Sequence, residues 1–188
     1  MLDRRDLVRQ LLIDRGDLLV VSGLGSATYD VAAAGDHPLN FYLWGAMGGT
    51  AMIGLGLALA QPRRRVAVLT GDGDMLMGIG SLATIGVKQP SNLAIVVLDN
   101  AHYGETGMQP SHTRSGIDLV AVALACRFKQ ARVVSRIDGA VDVRALLHAA
   151  EGPILVNARI TPDDVPRVLP LRDGHIIKQR FIEAMNPA

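Results

Sequence analysis

Short unbroken apolar runs alternate along this chain with stretches of helical periodicity. The runs fall at residues 18–22, 41–44, 66–70, 93–98, 131–135 and 154–158. Val66-Ala67-Val68-Leu69 and Ala94-Ile95-Val96-Val97-Leu98 show no alternation of apolar with polar residues. Strands covered on both faces read this way, as in a parallel sheet sandwiched by helices. The intervening stretches predict helices at residues 3–15, 27–34, 48–60, 75–87, 119–126, 141–150 and 175–185, the last opened by Asp173-Gly174. The expected fold is α/β: an open, mostly parallel six-stranded sheet with helices on both faces. One domain over residues 1–188 is expected, with an N-terminal helix within 1–17 and a C-terminal extension and helix over 159–188.

Composition supports a packed interior. Hydrophobic residues make up 49% of the 188 positions, aromatics only 4%, and there are 20 glycines. Such a core consists of Ala, Val, Leu and Ile at close approach. The net charge of +1 speaks against a nucleic-acid surface. Arg63-Arg64-Arg65 precedes an apolar run and reads as a solvated strand entry. A lone cysteine, Cys126, rules out an internal disulfide and reads as a small buried hydrophobe. No zinc-type Cys/His spacing appears. Residues 1–17 read as an amphipathic helix rather than a secretion signal. The apolar run 51–60 is too short to span a bilayer. A soluble cytoplasmic protein is expected.

In parallel α/β sheets, ligands bind beyond the carboxyl ends of the strands. One run ends Thr70-Gly71-Asp72-Gly73-Asp74 and the next ends Leu98-Asp99-Asn100-Ala101-His102. Two parallel strands joined by a helix bring both ends to one sheet edge, so Asp72 and Asn100 can converge. A carboxylate and an amide oxygen suit a hard cation such as Mg²⁺, whose remaining positions phosphates and water can fill. Gly71 and Gly73 allow close approach of the backbone to a phosphate. A helix starting near Met75 would point its N-terminal amides at that anion. The site reads as diphosphate plus Mg²⁺.

Gly71-Asp72-Gly73 with Asn100 resembles the signature of thiamine-diphosphate enzymes. The resemblance implies Mg²⁺ ligation by Asp72, Asn100 and the His102 carbonyl. Asp99 stands where most relatives carry another Asn, and Asp74 where many carry Ser or Ala. Asp74 is expected to cap the following helix. Upstream, Trp44-Gly45-Ala46-Met47-Gly48 resembles the family segment whose bulky apolar residue wedges between the cofactor rings. That implies Met47 as the wedge and the Gly45 carbonyl as an acceptor for the aminopyrimidine. Simple core filling is the alternative for Met47. Ser22, Gly23 and Ser26 resemble a segment touching the diphosphate from the other side, although a plain glycine turn reads similarly. Ala46, Gly73, Asp74, Met75, Tyr103 and Gly104 complete the implied cofactor contacts.

Residues 47–48, 53–60, 81–85, 98–100 and 103–109 further resemble the β subunits of sulfopyruvate decarboxylases and the matching half of phosphonopyruvate decarboxylases. The resemblance implies a subunit of a thiamine-diphosphate- and Mg²⁺-dependent carboxy-lyase. Such enzymes release CO₂ and an aldehyde from a small anionic 2-oxo acid. It also implies a separate pyrimidine-binding α subunit supplying the glutamate that activates the cofactor. Segment 103–114 would lie over the thiazolium. Relatives carry a glutamate six residues after the metal Asn; here that position is Thr106 with Glu105 beside it, which leaves the proton donor open between them, and His112 is either a relay or an exposed loop histidine. Arg114 would meet a substrate anion or a surface partner. A carboligase of the acetolactate-synthase kind and a non-catalytic regulatory subunit are the competing readings.

Overall fold

The computed structural model describes residues 1–149 and 151–186. The predicted position 150 and the last two residues of the C-terminal extension lie outside them. Eight helices and eight strands are described, in the order α1 (Arg4–Leu12), β1 (Leu19–Ser22), α2 (Ser26–Ala33), β2 (Asn40–Tyr42), α3 (Thr50–Ala60), β3 (Val66–Gly71), α4 (Asp72–Met77), α5 (Ser81–Lys88), β4 (Leu93–Asp99), β5 (His102–Tyr103), β6 (Gln109–Pro110), α6 (Leu119–Ala125), β7 (Gln130–Val134), α7 (Gly139–Ala149), β8 (Ile154–Arg159) and α8 (Gly174–Met185).

Six strands form one parallel sheet in the order β2-β1-β3-β4-β8-β7, while β5 and β6 pair as a small antiparallel ribbon. All six predicted strands are present. Alternate residues of the central strands enter opposite cores. Val20, Leu69, Val96 and Val156 pack with Leu7 of α1, Val31 of α2 and Leu147 of α7. Val21, Val68, Ile95 and Leu155 pack with Leu55 of α3, Ile85 of α5, Leu119 of α6 and Phe181 of α8. This two-sided burial is why the strands read as unbroken apolar runs. Each fully buried aliphatic side chain contributes roughly 1.5–3 kcal/mol, so the two apolar layers hold the sheet edge in place. Among the described residues no helix is long and apolar enough to cross a membrane.

Two features correct the sequence reading and matter for the site. The predicted helix 75–87 is two helices. α4 begins at Asp72, before Met75, and ends at Met77; α5 starts at Ser81. Between them Gly78 lies against the loop before α3. A Cβ there would stand 2.0 Å from the Gly48 carbonyl oxygen, so only glycine fits. The segment before α1 also meets the carboxyl edge of the sheet. Leu2 bridges Ile160 next to the end of β8, donating its N–H to the Arg159 carbonyl at 2.9 Å. Asp3 then caps α1 by accepting the Asp6 N–H, so the first turn of that helix starts beside the strand ends.

Candidate active site

The strand order reverses between β1 and β3, because β2 lies outside β1 and β4 lies on the other side of β3. Loops after those two strands part at such a switch point and leave a crevice. Register places Gly71 opposite Leu98, so Asp72 and Asn100 leave adjacent strands at the same edge. Both line one cleft with Gly71, Gly73, Ser26 and Gly104.

Asp72 is only 2% exposed. Its Oδ2 accepts the Ser111 hydroxyl at 2.5 Å, with Thr113 Oγ1, whose proton is shared with Asp99, at 3.3 Å. Oδ1 takes no hydrogen bond from another described residue. Burial pushes the carboxyl up from its ordinary value and the nearby Asp99 adds to the rise, against the hydroxyl bond from Ser111. A cation would relieve both penalties. Asp99 itself is held by the Thr113 hydroxyl at 2.8 Å, Asn157 Nδ2 at 2.9 Å and the Ala101 N–H at 3.0 Å. Asn100 Oδ1 accepts the His102 N–H at 2.9 Å around a turn in which Ala101 has φ 61°. A left-handed alanine costs roughly 1–2 kcal/mol; the turn sets Asn100 at the cleft and turns the Ala101 carbonyl to the Ser111 N–H at 2.9 Å. Among the described residues no three His, Cys, Asp or Glu side chains cluster as a metal cage. Any cation here would therefore need oxygens from its ligand, which is how Mg²⁺ binds with phosphates.

Met47 follows Ala46, a second left-handed residue at φ 59°, and is 41% exposed. It lines the Asp72 cleft and an adjoining apolar groove with Gly73, Leu76, Tyr103 and Ile117. The Cδ1–Cε1 side of the Tyr103 ring presses on Gly73, where a Cβ would meet both carbons at 2.7 Å. Its hydroxyl sits 3.1 Å from Nδ1 of His112, with the rings edge to face.

Asp74 does not cap a helix as expected. It lies within the first turn of α4, buried, and its carboxylate accepts the Gly48 N–H and the Thr50 hydroxyl, each at 2.5 Å, and the Thr70 hydroxyl. Ser22 and Met75, expected at the cofactor, turn inward. Ser22 shares a 2.7 Å hydrogen bond with Thr28, and Met75 joins the core beside α5. Gly23 donates its N–H to Leu69 and holds β1 to β3. Glu105 leans toward α2, accepting Ser26 at 3.3 Å and pairing with Arg167 at 3.3 Å. Thr106 closes the β5–β6 ribbon through Gln109. Arg114 is exposed. Sequence reasoning passed over Ser111 and Thr113 while weighing their neighbours His112 and Arg114. Burial alternates over 111–114, so the small hydroxyls point in and the ring and guanidinium point out.

Residues 23–158 match the family described as "Thiamine pyrophosphate enzyme, C-terminal TPP binding domain". The chain belongs to this family. As a thiamine pyrophosphate enzyme domain it has close curated relatives. It is 39% identical to sulfopyruvate decarboxylase subunit beta of Methanothermobacter thermautotrophicus, covering 100% of this chain and 98% of that protein. It is 40% identical to phosphonopyruvate decarboxylase of Streptomyces viridochromogenes, over 82% of this chain but 40% of that longer protein. Among solved structures, the Rhodococcus jostii thiamine diphosphate-dependent 4-hydroxybenzoylformate decarboxylase superposes with a TM-score of 0.70 at 21% identity. It covers 87% of this chain and 33% of that one; at that identity the likeness speaks for the fold.

Proposed function

We propose that this chain is the β subunit of a thiamine-diphosphate- and Mg²⁺-dependent decarboxylase of small anionic 2-oxo acids, sulfopyruvate-like or phosphonopyruvate-like. The reading rests chiefly on the end-to-end correspondence with a sulfopyruvate decarboxylase subunit beta. The whole chain, 1–188, would be one diphosphate-binding domain working in the cytoplasm. A separate pyrimidine-binding subunit would complete the site and supply the activating glutamate.

In this reading Asp72 Oδ1, Asn100 Oδ1 and the His102 carbonyl hold Mg²⁺. The chemistry of the donors fits: one buried carboxylate, one amide and one carbonyl, all oxygen. Ser111 and Thr113 fix the Asp72 rotamer through Oδ2 and leave Oδ1 for the metal. The backbone of Gly71, Gly73 and Asp74, with Ser26 and Gly104 across the cleft, receives the diphosphate. Met47, aimed by Ala46, and the Gly45 carbonyl shape the ring-binding end. When bound, thiamine diphosphate supplies the electron sink for loss of CO₂. The chain's part is to orient, to exclude water with Met47, Leu76 and Ile117, and to hand protons at the groove. There the Tyr103 hydroxyl and His112 Nδ1 form a relay pair.

The test is co-expression with a pyrimidine-domain partner, followed by a panel of 2-oxo acids. CO₂ and aldehyde are measured with and without a second carbonyl acceptor. Aldehyde release that needs both chains supports the reading. Product formed only with an acceptor would make the complex a carboligase, and turnover by this chain alone would remove the need for a partner.

A further inference from the structure

Among the described residues Arg4 is the one Lys or Arg lining the Asp72 cleft, which also carries Asp72, Asp74 and Glu105; Arg5, Arg167, Asp163 and Asp164 line the adjoining cavity beside Asn100. It belongs to the first turn of α1, outside residues 23–158 of the family match. Although arginines are rarely buried, it is 5% exposed. Nε donates to Asp30 Oδ2 at 2.7 Å, and Asp30 Oδ1 is already taken by Arg5 Nε at 2.8 Å. Neither Nη of Arg4 has a hydrogen-bond partner among the described residues.

That arrangement is asymmetric in charge. Two guanidiniums share one carboxylate, so the Arg4–Asp30–Arg5 group carries an excess positive charge beside a cleft. A buried charge without full compensation costs several kcal/mol. The free Nη edge is a planar pair of donors, the geometry that suits phosphate oxygens. Asp30 sits one turn into α2, the helix that begins with Ser26 at the cleft. It therefore fixes the Arg4 fork relative to the same wall that holds Ser26.

We infer that Arg4 is a direct cationic contact for the diphosphate. The inference rests on the cofactor site proposed above. Mg²⁺ bound by Asp72 would leave a thiamine diphosphate with residual negative charge, and Arg4 would answer it from the first turn of α1. Arg4 thus brings α1 into the cofactor site, and Asp30 is its positioning residue.

The experiment is calorimetric titration of the co-expressed complex with thiamine diphosphate and, separately, with thiamine, both in Mg²⁺ and at two NaCl concentrations. Charge-assisted contacts to phosphate are worth about 10–100-fold in affinity. Arg4→Gln should weaken thiamine diphosphate by that factor, leave thiamine unchanged, and flatten the salt dependence. Arg4→Lys should recover part of the loss. Arg5 still pairs with Asp30 in these variants. Should Arg4→Gln not fold, Arg4→Met keeps the buried stem and removes the charge while Asp30 stays paired with Arg5. Asp72→Asn separates the two ideas. If it abolishes Mg²⁺-dependent binding while the Arg4 variants bind like wild type, the Arg4 contact is wrong and the site stands. If wild type shows no Mg²⁺-dependent binding of thiamine diphosphate, the site itself is wrong.

Discussion

The Asp74 carboxylate accepts the backbone N–H of Gly48 through Oδ1 at 2.5 Å. This bond joins the helix that begins at Asp72 to the loop that presents Met47. Oδ2 adds the hydroxyls of Thr50 and Thr70, so one buried acid ties β3, α4 and the start of α3. Asp74→Ala would leave three donors without an acceptor. Leaving buried polar groups unsatisfied costs about 1–3 kcal/mol each at most, with relaxation. A loss of about 2–4 kcal/mol in urea denaturation is expected. Cofactor affinity should fall with it, because Met47 and Asp72 lose their common anchor. A variant of wild-type stability would mean the tie is incidental.

Gly78 makes the same connection through the backbone. An added methyl would overlap the Gly48 carbonyl. Gly78→Ala should destabilise by about 1–3 kcal/mol as α4 shifts away and should weaken thiamine diphosphate binding. Unchanged binding would show that the α4 position does not govern the cleft.

Asp72 gives a stability signature that differs with and without metal. Its carboxyl is raised by burial and by Asp99. A carboxyl raised in the fold contributes a penalty that is absent below its ordinary value. The penalty grows as pH rises through the folded value. Without Mg²⁺, Asp72→Asn should therefore melt higher than wild type at neutral pH, and the gain should vanish at acid pH. With Mg²⁺ and thiamine diphosphate the order reverses, since only the carboxylate can hold the metal well. Thermal melts at several pH values, with and without chelator, read this directly; equal melts throughout would argue against a cation at Asp72.

His37 carries a second pH dependence, remote from the cleft. Its Nδ1 accepts the Leu39 N–H at 3.1 Å. Burial lowers its pKa, Arg15 and Arg180 push the same way, and Asp36 opposes them. A histidine held neutral in the fold stabilises above its ordinary value near 6.5, and that stability is lost as pH falls below it. His148, also lowered by burial and by Arg144, adds in the same direction. Melting temperature should drop between about pH 7.5 and pH 5. His37→Asn keeps an acceptor for the Leu39 N–H without a titrating ring, and should flatten part of the slope. A slope left intact would assign it to other groups.

Much of the fold was legible because its signals are local. The strands announce two-sided burial by lacking alternation, and all six formed within two residues of the predicted places. The Gly-Asp-Gly turn and the Asn after the next strand mark the sheet edge by themselves. The helix 75–87 was misread because Gly78 and Gly80 look like tolerable interruptions until Gly48 is seen against one of them. Asp74 was misread for a related reason: a carboxylate near a helix start looks like a cap, while its real partners, Gly48 and Thr50, lie more than twenty residues away in sequence.

What the sequence determined by itself was the class of sheet, the edge on which the candidate site lies, and the residues that resemble the family signature. Those depend on periodicity and on spacing between neighbours along the chain. The tertiary structure alone decided which oxygens of Asp72 are spoken for by Ser111 and Thr113. It alone turned Ser22 and Met75 inward and brought Arg4 from the N-terminal helix to the cleft. Such pairings are contacts between distant segments, and no local pattern encodes them, because each exists only once the strands have taken their order in the sheet.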